Sequence, residues 1–113
     1  MQIVTIKRLQ EASRHYRDAA AEIGAWAKIF KTARWRNFDQ LRSTFPDANN
    51  LDGFAVFNIM HNRYRLIAAI HYSKRINGKL TLGHVYIGSF LTHQEYDRWS
   101  AMSERKRAEW LQF

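Results

Sequence analysis

Apolar positions change period near the middle of the chain, and the change divides the sequence into a helical half and a strand half. Residues 2–6 alternate as a short strand does, and Thr5 stands where a helix N-cap is favoured, opening a modestly amphipathic helix towards His15. Ala19, Ile23, Trp26, Ala27, Phe30 and Ala33 fall on one stripe of a second helix, which therefore has a core to cover. Asn37 suits the cap of a short helix carrying Leu41. The Phe45-Pro46 step ends that helix, because a residue before proline is pushed out of the helical region. Residues 46–53 then read as a loop.

Beyond Gly53 the period is two. Residues 54–59, 64–72 and 80–90 are rich in β-branched and aromatic side chains and read as three strands. His61-Asn62-Arg63 links the first two. The second link contains Asn77-Gly78, a pair that tolerates positive φ and marks a hairpin, so an antiparallel meander is expected. Thr92 and Glu95 have capping-box spacing for a helix through Tyr96 and Trp99, and Ser103 suits the cap of a charged turn ending near Trp110. Strand, two helices, antiparallel sheet and short C-terminal helix make an α+β fold. Its helices gather on one sheet face and leave the other to solvent or a ligand.

Size and composition add limits. The 113 residues suit one domain, 1–113, with the tail after about residue 100 as a possible extension, and no linker or repeat interrupts them. The absence of Cys removes disulfides, thiolate zinc sites and Cys nucleophiles. The early charged residues do not suit a secretory signal, and no apolar run approaches a membrane span, so the chain reads as cytoplasmic, with no membrane partner. Eighteen Lys and Arg against ten Asp and Glu leave a net charge of +8. That balance suits nucleic acid, an acidic partner protein, or solubility alone.

Candidate chemistry narrows the choice. The five histidines are scattered, no H-E-x-x-H pattern occurs, and Glu95 with Asp97 is the closest acidic pair, so no metal or other cofactor is expected. Gly83 and Gly88 lie inside a strand pattern, where a bulge or a close backbone approach is the ordinary reason, rather than in a phosphate loop. Trp35, Tyr64, Tyr72, Tyr86 and Tyr96 interleave with cations as in surfaces that grip single-stranded RNA, although for each ring taken alone packing is the better explanation. RNA cleavage needs no metal, because the 2′-hydroxyl is an internal nucleophile. The protein need only orient it, move protons and neutralise the phosphorane, tasks suited to His, Tyr, Lys and Arg.

The run from Phe57 to Ala68, with Asn62-Arg63-Tyr64-Arg65 at its centre, and the later Thr92-His93-Gln94-Glu95-Tyr96-Asp97 resemble the HigB-type toxins of the RelE-like class. Ala33-Arg34-Trp35-Arg36-Asn37-Phe38, Leu41-Arg42 and Phe45-Pro46 extend the resemblance over most of the chain. The resemblance implies a RelE-like fold and a ribosome-dependent mRNA endonuclease. It also implies neutralisation by a helix-turn-helix antitoxin of HigA type, with promoter DNA bound only through the toxin–antitoxin complex.

Carried over residue by residue, Arg65 is the phosphate-clamp candidate and His93 the proton-transfer candidate. Tyr96 completes the catalytic set, either stacking on a base or packing on the sheet. Asn62, Arg63, Tyr64 and Lys74 are RNA-contact candidates. Alternation puts Arg65 on the face of Ile67 and Ala69, opposite Tyr64, Leu66 and Ala68, and leaves open which face meets RNA. Thr92 and Glu95 are accounted for by the cap. His61 stands where the family commonly has glycine. A noncatalytic RNA- or ribosome-binding module is the alternative of a different class.

Overall fold

In a computed structural model describing residues 1–111, the chain forms a five-stranded sheet with helices on both faces. Its elements are β1 (Gln2–Ile3), α1 (Ile6–His15), α2 (Ala20–Thr32), α3 (Phe38–Thr44), β2 (Asn49–Leu51), β3 (Phe54–Ile59), β4 (Tyr64–His71), β5 (Arg75–Ile76), β6 (Lys79–Leu80), β7 (His84–Thr92), α4 (His93–Ser100) and α5 (Glu104–Trp110). The sheet order is β1-β7-β4-β3-β2, with β5 and β6 forming a separate two-stranded ribbon. β3, β4 and β7 make the expected antiparallel meander, but β1 runs parallel to β7, so the sheet is mixed.

Four sequence expectations need correction. The helices do not gather on one face: α4 covers the other through Trp99, because Val56, Ile67 and Leu91 make that face apolar as well. The first strand stops at Ile3, and Thr5, although at the cap position of α1, makes no capping bond. Its hydroxyl instead accepts from the Ile87 N–H at 2.7 Å and donates to the Ile87 carbonyl, tying α1 to β7. The stretch read as a loop contains edge strand β2, joined to β3 through Asp52 (φ 55°) and Gly53 (φ 82°), the paired positive φ values of a tight hairpin turn. Finally, Asn77-Gly78 closes the small ribbon rather than joining β4 directly to the last strand. Gly83, at φ 75°, breaks the apolar run before β7 begins.

Strand alternation sorts the core onto two faces. Leu66, Ala68, Phe57 and Ile87 lie in the cluster that receives Ile23, Trp26 and Phe30 of the predicted stripe. The Trp26 and Phe30 rings stack with centroids 3.9 Å apart, and both meet Phe57 edge-on. Burying rings of this size contributes roughly 2–3 kcal/mol each from apolar area alone, which makes this face the principal source of stability. The opposite face carries Val56, Ile67 and Leu91, covered by Trp99 of α4 with Tyr96 and Leu111 beside it. Gly88 is the extra residue of a bulge, because Ile67 pairs with Ser89 while Ala68 pairs with Ile87.

Candidate functional site

The turn between β3 and β4 is short and strained. Met60 (φ 54°) and His61 (φ 58°) both adopt the left-handed conformation that costs residues with a Cβ, and the Arg63 N–H closes the turn onto the Met60 carbonyl at 3.1 Å. Two carboxylates from the start of the second helical segment brace it. Glu22 Oε2 accepts from the Met60 N–H at 2.6 Å, while Asp18 accepts from Arg63 Nη1 at 2.7 Å and from the Tyr64 hydroxyl at 2.8 Å. The Arg63 hydrogen bond, followed by that of Tyr64, holds the Asp18 carboxyl below its ordinary range. Burial first, and then the bond to Asp18, pushes the Tyr64 phenol up.

The next residue faces the other way. Tyr64 is buried among the helices against Tyr16 and Phe90. Arg65 instead projects towards α4, where its guanidinium carbon lies 5.2 Å from the Tyr96 ring centroid, within cation–π range. It donates through Nη1 to the Tyr64 carbonyl at 3.2 Å and through Nη2 to Asn62 Oδ1 at 3.4 Å. No carboxylate pairs with it among the described residues, and guanidinium N–H groups remain to bridge phosphate oxygens.

Helix α4 starts beside this cation. The capping box forms as the spacing predicts, with Thr92 Oγ1 accepting from the Glu95 N–H at 3.2 Å and Glu95 Oε1 accepting from the Thr92 N–H at 2.8 Å. Its first residue, His93, is pinned by its backbone N–H on the Arg63 carbonyl at 2.9 Å. The imidazole is half exposed, with Nε2 3.4 Å from Asp97 Oδ2 one turn further on. Tyr96 packs against Trp99, ring centroids 5.7 Å apart. Asn62, Arg65, His93 and Tyr96 therefore gather on one rim, where β4 begins and β7 ends. An open concavity of about 480 Å³ beyond Asn62 is lined also by Glu22, Asp47, Asn58 and His61, and its two carboxylates make it less favourable to an anion than the Arg65 side.

Other candidates lie elsewhere. Arg63 and Tyr64 are engaged by Asp18 on the helical side. Lys74 is at the far end of β4, whose eight residues span roughly 20–25 Å. Its backbone is tied twice to Thr81 at the base of the ribbon. Among the five aromatic candidates, Trp35, Tyr64 and Tyr72 pack into the helix-side core, leaving Tyr86 and Tyr96 on the opposite face. Among the described residues, no three His, Asp or Glu side chains gather as a metal site would require. Sequence reading missed the braces Asp18 and Glu22 and the partner Asp97; the i,i+4 spacings of Asp18 with Glu22 and of His93 with Asp97 were the available signal.

A family model described as HigB toxin, the RelE-like toxic component of a toxin-antitoxin system, matches residues 19–99, a span that contains the whole rim. The mRNA interferase toxin HigB of Escherichia coli (strain K12) is 27% identical over 109 residues, covering 94% of this chain and 97% of that protein. The mRNA interferases HigB of Escherichia coli O157:H7 and of Shigella flexneri match with the same identity and coverage.

Proposed function

The chain belongs to the HigB family of RelE-like toxins, and on that premise we propose that it is a ribosome-dependent endoribonuclease that cleaves mRNA during translation. Arg65 carries the reading. It is a guanidinium with no carboxylate partner among the described residues, set over Tyr96 and beside His93 on an exposed rim. Bound there, a phosphodiester receives charge neutralisation from Arg65 as its own 2′-hydroxyl attacks in line. The bond to the 5′-oxygen of the next nucleotide breaks, leaving a cyclic phosphate.

His93 is the proton-transfer group. An imidazole nitrogen can accept or donate a proton, and Asp97 Oδ2, 3.4 Å from Nε2, stands where a carboxylate could orient the ring. Tyr96 supports the guanidinium from below, and Asn62 limits its swing. Tyr64 and Arg63 act through the framework, because their polar groups are committed to Asp18. None of these steps requires a metal ion.

The partner is a helix-turn-helix antitoxin of HigA type, which silences the toxin and carries it to promoter DNA. Among the described residues no helix is long and apolar enough to cross a membrane, in keeping with action on cytoplasmic ribosomes. Induced expression should arrest growth, with antitoxin co-expression restoring it, and primer extension on translated message should show codon-linked cuts. Arg65→Ala and His93→Ala should each slow cleavage by about 100-fold or more. Full toxicity in both variants overturns the site assignment, and growth arrest without cuts favours the noncatalytic reading.

A further inference from the structure

Charge is distributed unevenly along this chain. Between Gly53 and Gln94 there is no Asp or Glu, while five Lys and Arg fall there, so the three long strands and the ribbon hold more than half of the +8 net charge. Arg63 alone among those five pairs with a carboxylate in the described residues. Of the carboxylates near the α4 side of the sheet, Glu95 is engaged in its capping box, Asp97 at His93 and Asp52 with Arg107, while Glu104 and Glu109 of α5 share that helix with Arg105, Lys106 and Arg107. The positive field along this side is therefore left largely unneutralised.

The β5–β6 ribbon concentrates that field. Lys74, Arg75 and Lys79 are exposed, and among the described residues the Arg75 guanidinium donates only to the Gly78 carbonyl within its own turn. The base of the ribbon is firmly fixed. Ser73 is 2% exposed, with its N–H on the Trp35 carbonyl at 3.0 Å and its hydroxyl on the Leu82 carbonyl at 3.1 Å. Lys74 and Thr81 are joined by two further bonds, to the Thr81 N–H and hydroxyl. A mobile loop would lose conformational freedom on gripping a ligand, whereas this ribbon presents its charges ready placed.

Rings lie beside the base. His71 and Tyr86 have centroids 5.0 Å apart at the ribbon end of β4 and β7, and pairing with alternation places both on the face of Arg65. From this arrangement we infer a second RNA-backbone site, formed by Lys74, Arg75 and Lys79 with His71 and Tyr86, one β4 length from the cleavage rim. A span of roughly 20–25 Å corresponds to several nucleotides of extended chain. Clustered cations beside stackable rings suit RNA better than a protein partner, whose interface would need an apolar centre; among the described residues the large apolar side chains exposed here are two, Ile76 in the ribbon and Leu82 at its base.

The inference deepens the nuclease reading but is tested on binding, so the two can fail separately. Full-length wild type is compared with a Lys74→Gln, Arg75→Gln, Lys79→Gln triple variant and with the charge-conserving Lys74→Arg, Arg75→Lys, Lys79→Arg triple. The probes are labelled oligo-uridine, 30S subunits and, as an acidic polypeptide, poly-glutamate, across a salt series. The neutral variant should lose about tenfold or more in affinity, and its slope of log affinity on log salt should fall by about 2 for three lost phosphate contacts. The charge-conserving variant should retain wild-type binding and vouch for the fold.

Loss on oligo-uridine assigns the site to the message, and loss confined to 30S subunits assigns it to ribosomal RNA; either supports the inference. Unchanged affinity and slope on both RNAs overturn it, as does a loss confined to poly-glutamate. A wild-type protein that binds RNA through the ribbon yet never cleaves refutes the nuclease reading and leaves the second site standing.

Discussion

The Arg107 guanidinium grips the Asp52 carboxylate through two parallel hydrogen bonds, Nε to Oδ2 at 2.6 Å and Nη2 to Oδ1 at 2.8 Å, across 55 positions of sequence. Both side chains are only 14% exposed. The same guanidinium donates to the Met102 carbonyl, while the Arg107 carbonyl accepts from the indole N–H of fully buried Trp99 at 3.0 Å. One residue thus joins the β2–β3 turn to the two helices that roof the Arg65 side of the sheet. Arg107→Ala should lower the thermal midpoint by several degrees and shift tryptophan emission to the red as Trp99 becomes wet. Arg107→Lys should recover little, because an ammonium cannot make the paired contact.

Acid stability should carry the mark of this pair. Hydrogen bonds from Arg107 hold the Asp52 carboxyl below its ordinary range. A group whose folded pKa is depressed contributes stability above its unfolded value of about 4 and loses it as pH falls through the folded value. Thermal midpoints should therefore drop more steeply below about pH 4 in wild type than in Asp52→Asn, which starts lower and has no such charge to lose. Parallel curves for the two proteins would show that the pair adds nothing.

The Asp18 cluster separates framework from chemistry. Tyr64→Phe removes one hydrogen bond but keeps the ring against Tyr16 and Phe90, so melting should fall modestly while cleavage stays within a few-fold of wild type. Arg65→Lys, one residue away on the opposite face, retains charge but loses bidentate phosphate binding and should cleave at a rate between wild type and Arg65→Ala. Equal losses in Tyr64→Phe and Arg65→Ala would contradict this division.

Local chemistry explains which parts of the fold were legible. The α2 stripe, the Asn37 and Ser103 caps, the Thr92–Glu95 box and the strand character around β3, β4 and β7 each arise from residues close in sequence, and the structure contains all of them. Asp52-Gly53 carried a hairpin signal as strong as Asn77-Gly78. The strand before it is masked, because Asn49 and Asn50 are poor strand formers and their pairing depends on the neighbouring β3 edge. Thr5 kept its cap position but lost its capping bond, because the Ile87 backbone competes for the hydroxyl. Alternation separated Tyr64 from Arg65 correctly, yet only the packing of Trp99 and Tyr96 on the Ile67 face identifies where Arg65 points. The Asp18 brace and the Arg107 clamp depend on long-range pairings and left no sequence pattern that fixes their partners.

Gly83 should be the least replaceable glycine of the ribbon region. An added Cβ would lie 2.9 Å from the His71 carbonyl oxygen and 3.0 Å from the Ser73 nitrogen, both backbone atoms, at a φ of 75°. The left-handed conformation costs about 1–2 kcal/mol for alanine, and the backbone clash adds to it. Gly78, also at positive φ, has open space around the same position and incurs the conformational cost alone. Urea denaturation should rank Gly83→Ala well below Gly78→Ala in stability, and equal stabilities would remove the close approach as the reason for glycine at position 83.

His61 offers a change in the opposite direction. Its φ of 58° follows that of Met60 at 54°, so two consecutive residues with side chains hold the left-handed region at the turn that delivers Arg65. Replacing His61 by glycine relieves about 1–2 kcal/mol of strain, while the extra freedom of glycine in the unfolded chain takes back about 0.4–1 kcal/mol. The net expectation is a gain of between about 0 and about 1.6 kcal/mol in urea denaturation. His61 is exposed and, among the described residues, has no hydrogen bond, ion pair or ring contact with Arg65, His93 or Tyr96, so cleavage by His61→Gly should remain near wild type. Increased stability with a marked loss of cleavage would instead show that the strained histidine contacts RNA.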